Sequence, residues 1–297
     1  MTRKLAILAA LAALLAACGK AGSTPPPGDT GRVEGPILRM EYVGGFVPVE
    51  YQLSALPTFL LTGEGKVYAP GSQIEIYPPP ALPSIQEKPV TADAVRRIRE
   101  EAERAGLTGP DKTYRHGAIA DAPNTRFVYV DPAGTTHTIE AEALGIGEEE
   151  GGPPPPGASQ EDLAARRKLA EFARKLGDLQ SWLPKDSTGE DRQYEFDALR
   201  IFSKPYEKSD GDGQSQPEKA WPLSTPLSSF GTVYNAESST RCGVVRGEDL
   251  SALKPSIAQS NSRTPWRSGD KAYQLVLRPL LPGESGCPAR PSYLRRS

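Results

Sequence analysis

The chain has 297 residues, of which 37% are hydrophobic and 24% charged, with 35 Lys and Arg against 37 Asp and Glu and only two His. This composition supports a folded core rather than wholesale disorder. The net charge of −2 excludes a nucleic-acid binder, which needs a Lys/Arg surplus, and two His starve a histidine-based metal or acid–base site. The 30 Pro and 29 Gly must concentrate in turns and linkers.

Met1-Thr2-Arg3-Lys4 is cationic, and Leu5 to Ala17 is an uncharged apolar run. About 20 apolar residues are needed to span a bilayer, so this shorter run fits the apolar segment of an export signal. It ends Leu15-Ala16-Ala17-Cys18-Gly19, which is similar to the lipobox of bacterial lipoproteins. An ordinary secretory site wants small residues at −3 and −1, and here Leu15 stands at −3. The resemblance implies that residues 1–17 are removed and that the Cys18 thiol carries a diacylglyceryl group. Residues 18–297 would then be exported and anchored to the outer face of the cell membrane by that lipid. Loss of Arg3 and Lys4 makes the mature chain more acidic, so its membrane partner is reached through the lipid and not by attraction to anionic headgroups. In an exported chain Cys242 and Cys287 remain as an even pair. They are expected to form one C-terminal disulfide, two buried free thiols being the alternative.

Gly19 to Gly35, with its Pro triplet, reads as a tether following the lipidated Cys, over 18–36. From Ile37 short β-type runs follow: Ile37–Val43, Thr58–Leu61, Lys66–Tyr68 and Gln73–Tyr77. Gly63-Glu64-Gly65 stands at hairpin spacing and Pro70-Gly71 marks a reversal, while Ile74 and Ile76 alternate with Glu75 and Tyr77 as one buried and one wet face. A helix is predicted over 91–105. Thr91 is its N-cap, Val90 and Val95 form a staple, Gly106 stands past its end, and Ala94, Val95, Ile98, Ala102 and Ala105 form its apolar face. Thr125–Val130 and Thr135–Glu140, joined by Asp131-Pro132-Ala133-Gly134, read as a β-hairpin.

Gly147 to Gly157, a Glu triplet followed by four prolines, is a linker or exposed excursion. Ser159 and Asp162 then open a long helix with Leu169, Phe172, Leu176, Leu179 and Leu183 on one stripe and Pro184 ending it. Strands are expected over Tyr194–Phe202, near Gly231–Tyr234 and Gly243–Val245, and over Lys271–Arg278, with a short helix near Glu248–Leu253. The fold class is therefore α+β. It has antiparallel sheets with one or two covering helices, in an N-terminal unit (37–146) and a C-terminal unit (158–297).

The chemistry-bearing patterns are thin. Ser251-Ala-Leu-Lys254 has the S-x-x-K spacing of serine acyl enzymes, but S-D-N and K-T-G are absent, as is G-x-S-x-G. A triad would need His116, in a loop, or His137, in a strand. Asp210-Gly211-Asp212-Gly213 resembles the opening of an EF-hand loop, yet its sixth position is Ser215 and its twelfth Trp221, neither of which completes a calcium cage. Glu148, Glu149 and Glu150 lack a frame, and neither zinc spacing nor a phosphate-cradling Gly loop occurs. No cofactor and no metal is expected.

Leu56-Pro57-Thr58-Phe59-Leu60-Leu61-Thr62-Gly63-Glu64-Gly65-Lys66-Val67, with Ile119 to Thr125, is similar to a pattern in uncharacterised lipoproteins of high-GC bacteria. Thr264-Pro265-Trp266 and Arg278 to Glu284 with Cys287 resemble the same group, which implies no particular activity. Together these readings predict a binding or scaffold protein at the cell surface, with a protein or cell-wall partner. The alternative is an extracytoplasmic enzyme acting on cell-wall or other surface substrates, using loop carboxylates such as Asp111 and Asp121. Doubly wound solute-binding lobes are disfavoured because repeated βαβ units are missing.

Overall fold

Apolar and charged residues alternate along the first strand, and that alternation organises the first half of the molecule. In chain order the computed structural model has β1 (Pro36–Val43), α1 (Val49–Ser54), β2 (Phe59–Thr62), β3 (Lys66–Pro70), β4 (Ile85–Pro89), α2 (Ala92–Arg104), β5 (Lys112–Tyr114), β6 (Asn124–Val130), β7 (Thr136–Glu142), α3 (Gln160–Gly177) and β8 (Arg192–Gln193). There follow β9 (Ala198–Pro205), β10 (Lys219–Ala220), β11 (Thr232–Asn235), β12 (Thr240–Arg246), α4 (Gly247–Ala258), β13 (Trp266–Ser268) and β14 (Lys271–Pro279). The structure describes residues 34–119, 121–146, 155–207 and 216–289. Cys18 and its signal and tether, Glu148 to Glu150 and Asp210 to Gly213 lie outside the described residues.

Eight strands form one sheet in the order β5-β7-β6-β1-β2-β3-β4-β8, antiparallel except for the β5–β7 edge pair. Six form a second, β10-β13-β14-β9-β12-β11, antiparallel except for β10–β13. The fold is α+β, as the sequence predicts. Thr91 caps α2 by accepting from the Ala94 N–H, and Ser159 caps α3 by accepting from the Asp162 N–H, in the manner expected of hydroxyl N-caps.

The core of the first sheet forms where Leu38, Met40, Phe127, Tyr129, Ile139 and Ala141 meet Ala94, Ile98 and Ala102 of α2. Leu169, Phe172 and Leu176 of α3, with Leu179 and Leu183 beyond it, complete the same core. This corrects the placement of that helix with the C-terminal unit. One 13-residue helix cannot cover an eight-stranded sheet, so the stripe on α3 folds back across the 147–157 break. The second sheet is covered by Leu250, Leu253 and Ile257 of α4, which pack on Leu199, Ile201, Val245, Leu275 and Leu277. Trp221, Phe230 and Trp266 belong to the same core and are joined by edge-to-face contacts.

Gln73–Tyr77 is not a strand. Ile74 is 67% exposed, and its carbonyl accepts from the Ile76 N–H at 2.9 Å, a tight turn in place of the expected ladder. Cys242 and Cys287 form the expected disulfide, with Cα atoms 6.0 Å apart, which ties the C-terminal segment to β12.

Candidate functional site

The opposite faces of the same strands build a cleft. Residues 39 and 41 of β1, 126 of β6 and 140 of β7 point away from the core, and the register sets Glu41 opposite Arg126 and Arg126 opposite Glu140. Arg126 donates to Glu140 at 2.6 Å and lies 3.5 Å from Glu41. Arg39 donates to Glu41 at 2.7 Å and to Glu284 at 2.9 Å. Alternating charge at directly opposed positions is the stabilising arrangement for a cross-strand row.

Glu284 links this face to the second sheet. Its carboxylate accepts from both terminal nitrogens of Arg278 on β14, one at 2.8 Å, and from the Leu281 N–H at 3.1 Å. The remaining donor of Arg278, Nε, goes to the Ala55 carbonyl at 2.8 Å. Burial alone would push the Glu284 carboxyl up, but the hydrogen bonds and charge of Arg278, with the charge of Arg39, hold it down at about 2.

Arg200 on β9 lies beside this network and is 8% exposed. Its Nε donates to the Gly286 carbonyl at 2.7 Å, a group placed by the neighbouring Cys287 disulfide. Burial, reinforced by the positive charge of Arg278, lowers the guanidinium to about 10, with Glu284 opposing.

These side chains line a cavity of about 760 Å³. Its rim is the segment after β1. Gly44 and Gly45 have φ of +73° and +81°, the left-handed region that a side chain disfavours, and they swing the chain out so that Phe46 donates its N–H to the Asp121 carbonyl at 3.3 Å. A Cβ at Gly45 would also press on that carbonyl at 3.3 Å. Tyr42, Phe46 and Tyr51 stand on the rim, Phe46 88% and Tyr51 64% exposed. The helix that carries Tyr51 is held to the second sheet by the Lys204–Glu50 ion pair.

Of the residues singled out from sequence, Asp121 lines this cleft, in a left-handed conformation (φ 66°). Asp111 is spent elsewhere, accepting from the Thr138 N–H at 2.7 Å. His137 bonds the Gly109 carbonyl and, at 3.3 Å, Asp131, whose hydrogen bond raises the imidazole above its ordinary value. His116 is 5% exposed, with its backbone N–H on Glu142 and neither ring nitrogen hydrogen-bonded among the described residues. Ser251 donates to the Gly247 carbonyl within α4, and Lys254 lies over the Phe196 ring, so both are held in structural contacts. Among the described residues no cluster of His, Cys, Asp and Glu could hold a metal, and no helix is long and apolar enough to cross a membrane.

The sequence reading missed Arg39, Arg126, Arg200, Arg278 and Glu284. A signal was present in Ala198-Leu-Arg-Ile-Phe202 and Leu275-Val-Leu-Arg278, where an arginine interrupts an apolar strand, because charged residues are almost never fully buried without a partner. Comparison of the chain with protein-family models, with curated proteins and with solved structures gives no match.

Proposed function

We propose that this is an exported binding protein, held at the outer face of the membrane through a lipid on Cys18, whose ligand sits in the cleft between the two sheets. The cleft carries the reading. Its volume of about 760 Å³ falls in the range of small-molecule sites, roughly 300–1,000 Å³. Aromatic side chains exposed together on its rim are the kind of apolar surface that marks a binding site rather than ordinary surface. The similarity of Leu15 to Gly19 to a lipobox supports the anchor. The Cys242–Cys287 bond supports an oxidising compartment.

Two measurements test the halves of this reading. Cys18→Ser in the full chain is expected to shift the protein out of the membrane fraction, and complete retention there would overturn the anchor. For the cleft, the purified full chain is titrated calorimetrically with 2-naphthamide and 2-naphthoate against a detergent blank. Saturable binding at one site, weakened in a Phe46→Ser/Tyr51→Ser variant, is expected; no saturable binding of either probe would overturn the binding reading.

A further inference from the structure

Resting on the reading of the cleft as a binding site, we propose that its ligand is a carboxylate-bearing organic molecule, gripped by Arg200 with its apolar body against the aromatic rim.

Three arginines are buried among the described residues, Arg166, Arg200 and Arg278, and their partners differ. Arg166 gives its terminal nitrogens to the carbonyls of Tyr114, Glu142 and Ala143 at 2.8–3.4 Å. Arg278 spends its nitrogens on Ala55, Pro279 and Glu284. Arg200 uses only Nε, on Gly286. Its two terminal amino groups have no acceptor among the described residues, and no carboxylate lies within ion-pair distance. The residue is 8% exposed and lines the cavity, where an incoming acceptor can reach its terminal nitrogens and a partly desolvated hydrogen bond gains strength.

The cleft also holds carboxylates, so the charge must be followed locally. Glu41 and Glu140 are paired with Arg39 and Arg126, and Glu284 with Arg39 and Arg278. Asp121 lies out at the exposed end. The surplus at the floor is therefore the single charge of Arg200, which stays protonated at neutral pH even after its downward shift to about 10.

One planar guanidinium edge with two N–H donors matches one carboxylate bidentately. A phosphate dianion would bring a second charge to a floor where Arg39 and Arg278 are already spent on Glu284. The aromatic rim of Tyr42, Phe46 and Tyr51 requires the rest of the ligand to be apolar or planar.

The test compares 2-naphthoate with the isosteric neutral 2-naphthamide on the full chain. The carboxylate is expected to bind about tenfold or more tightly than the amide, the gain of a charge-assisted bond. Arg200→Gln is expected to bring that ratio to near one while amide binding persists. Should Arg200→Gln fail to fold, Arg200→Lys keeps the charge and removes the fork, and the ratio is expected to fall while the amide still binds. Equal binding of acid and amide by the unaltered chain would overturn the proposal and leave the binding reading standing. A preference that survives Arg200→Gln would overturn it too, as would tighter binding of 2-naphthyl phosphate than of 2-naphthoate.

Discussion

The two faces of β1, β6 and β7 are made by the same three strands and solve different problems. One face buries Leu38, Phe127, Tyr129 and Ile139 under α2 and α3, where stability comes from removing apolar area from water. The other presents the Arg39, Glu41, Arg126 and Glu140 row to a cleft, where paired charges contribute little individually. Where these three strands keep their second face charged rather than buried, they retain a surface that can be used for recognition. Contact with the segment after β14 is made by Glu284, which accepts from Arg39 and Arg278, and by Leu281, which packs with Leu60, Tyr68 and Ile85 of β2 to β4.

Phe127→Ala breaks the buried face and carries the largest expected effect. Phe127 is fully buried and packs against Phe172 of α3 with ring centroids 6.0 Å apart. Truncation of a buried Phe costs about 3–5 kcal/mol, and a chemical-denaturation midpoint lowered accordingly is the expected result. A loss under 1 kcal/mol would show that α3 does not seal this face in solution.

Glu284 tests the tie between that charged face and the second sheet. Its pKa lies below the ordinary carboxylate value of 4.5, at about 2. The ionised form is thus favoured by folding, and its contribution is present above the ordinary value and lost as pH falls toward 2. The displacement corresponds to about 3 kcal/mol. Stability measured from pH 6 down to pH 2 should decline through that window, and Glu284→Gln should be less stable at pH 6 and flatter below pH 5. A Gln variant that follows the same acid profile as the parent chain would remove Glu284 from this role.

What could be read in advance divides along the same faces. Periodicity marked α2, α3 and the β6–β7 hairpin because each carries a buried stripe whose spacing is set by its own local geometry. Cys arithmetic marked the Cys242–Cys287 pair. It could not say that α3 would serve the first sheet, since an amphipathic stripe reports that it must be covered and not by what. Gln73–Tyr77 misled for the converse reason: alternation is necessary for a strand, but the ladder must come from a neighbour, and here the chain turns on itself between Ile74 and Ile76. The cleft was least visible. Arg39 and Glu284 are 245 positions apart, and no local pattern joins them. Asp121 reached the rim, whereas Asp111 went to a backbone N–H in the sheet, so loop carboxylates alone were a poor guide.

Arg126→Ala gives the smallest effect and the sharpest contrast, because Arg126 is the neighbour of Phe127 on the same strand and differs from it in facing the cleft. Its two partners, Glu41 and Glu140, are half-buried, at 17% and 21% side-chain exposure. Neither is left without recourse when Arg126 is removed, since Glu41 keeps Arg39 and Glu140 keeps the Asn124 side-chain amide at 3.4 Å. The expected loss is therefore below about 1 kcal/mol. It should shrink further in 1 M salt, where charges are screened over about 3 Å, while the loss from Phe127→Ala persists. If Arg126→Ala instead costs as much as Phe127→Ala, the charged row holds the sheets together and is not a spare surface, and the division of labour between the two faces would have to be abandoned.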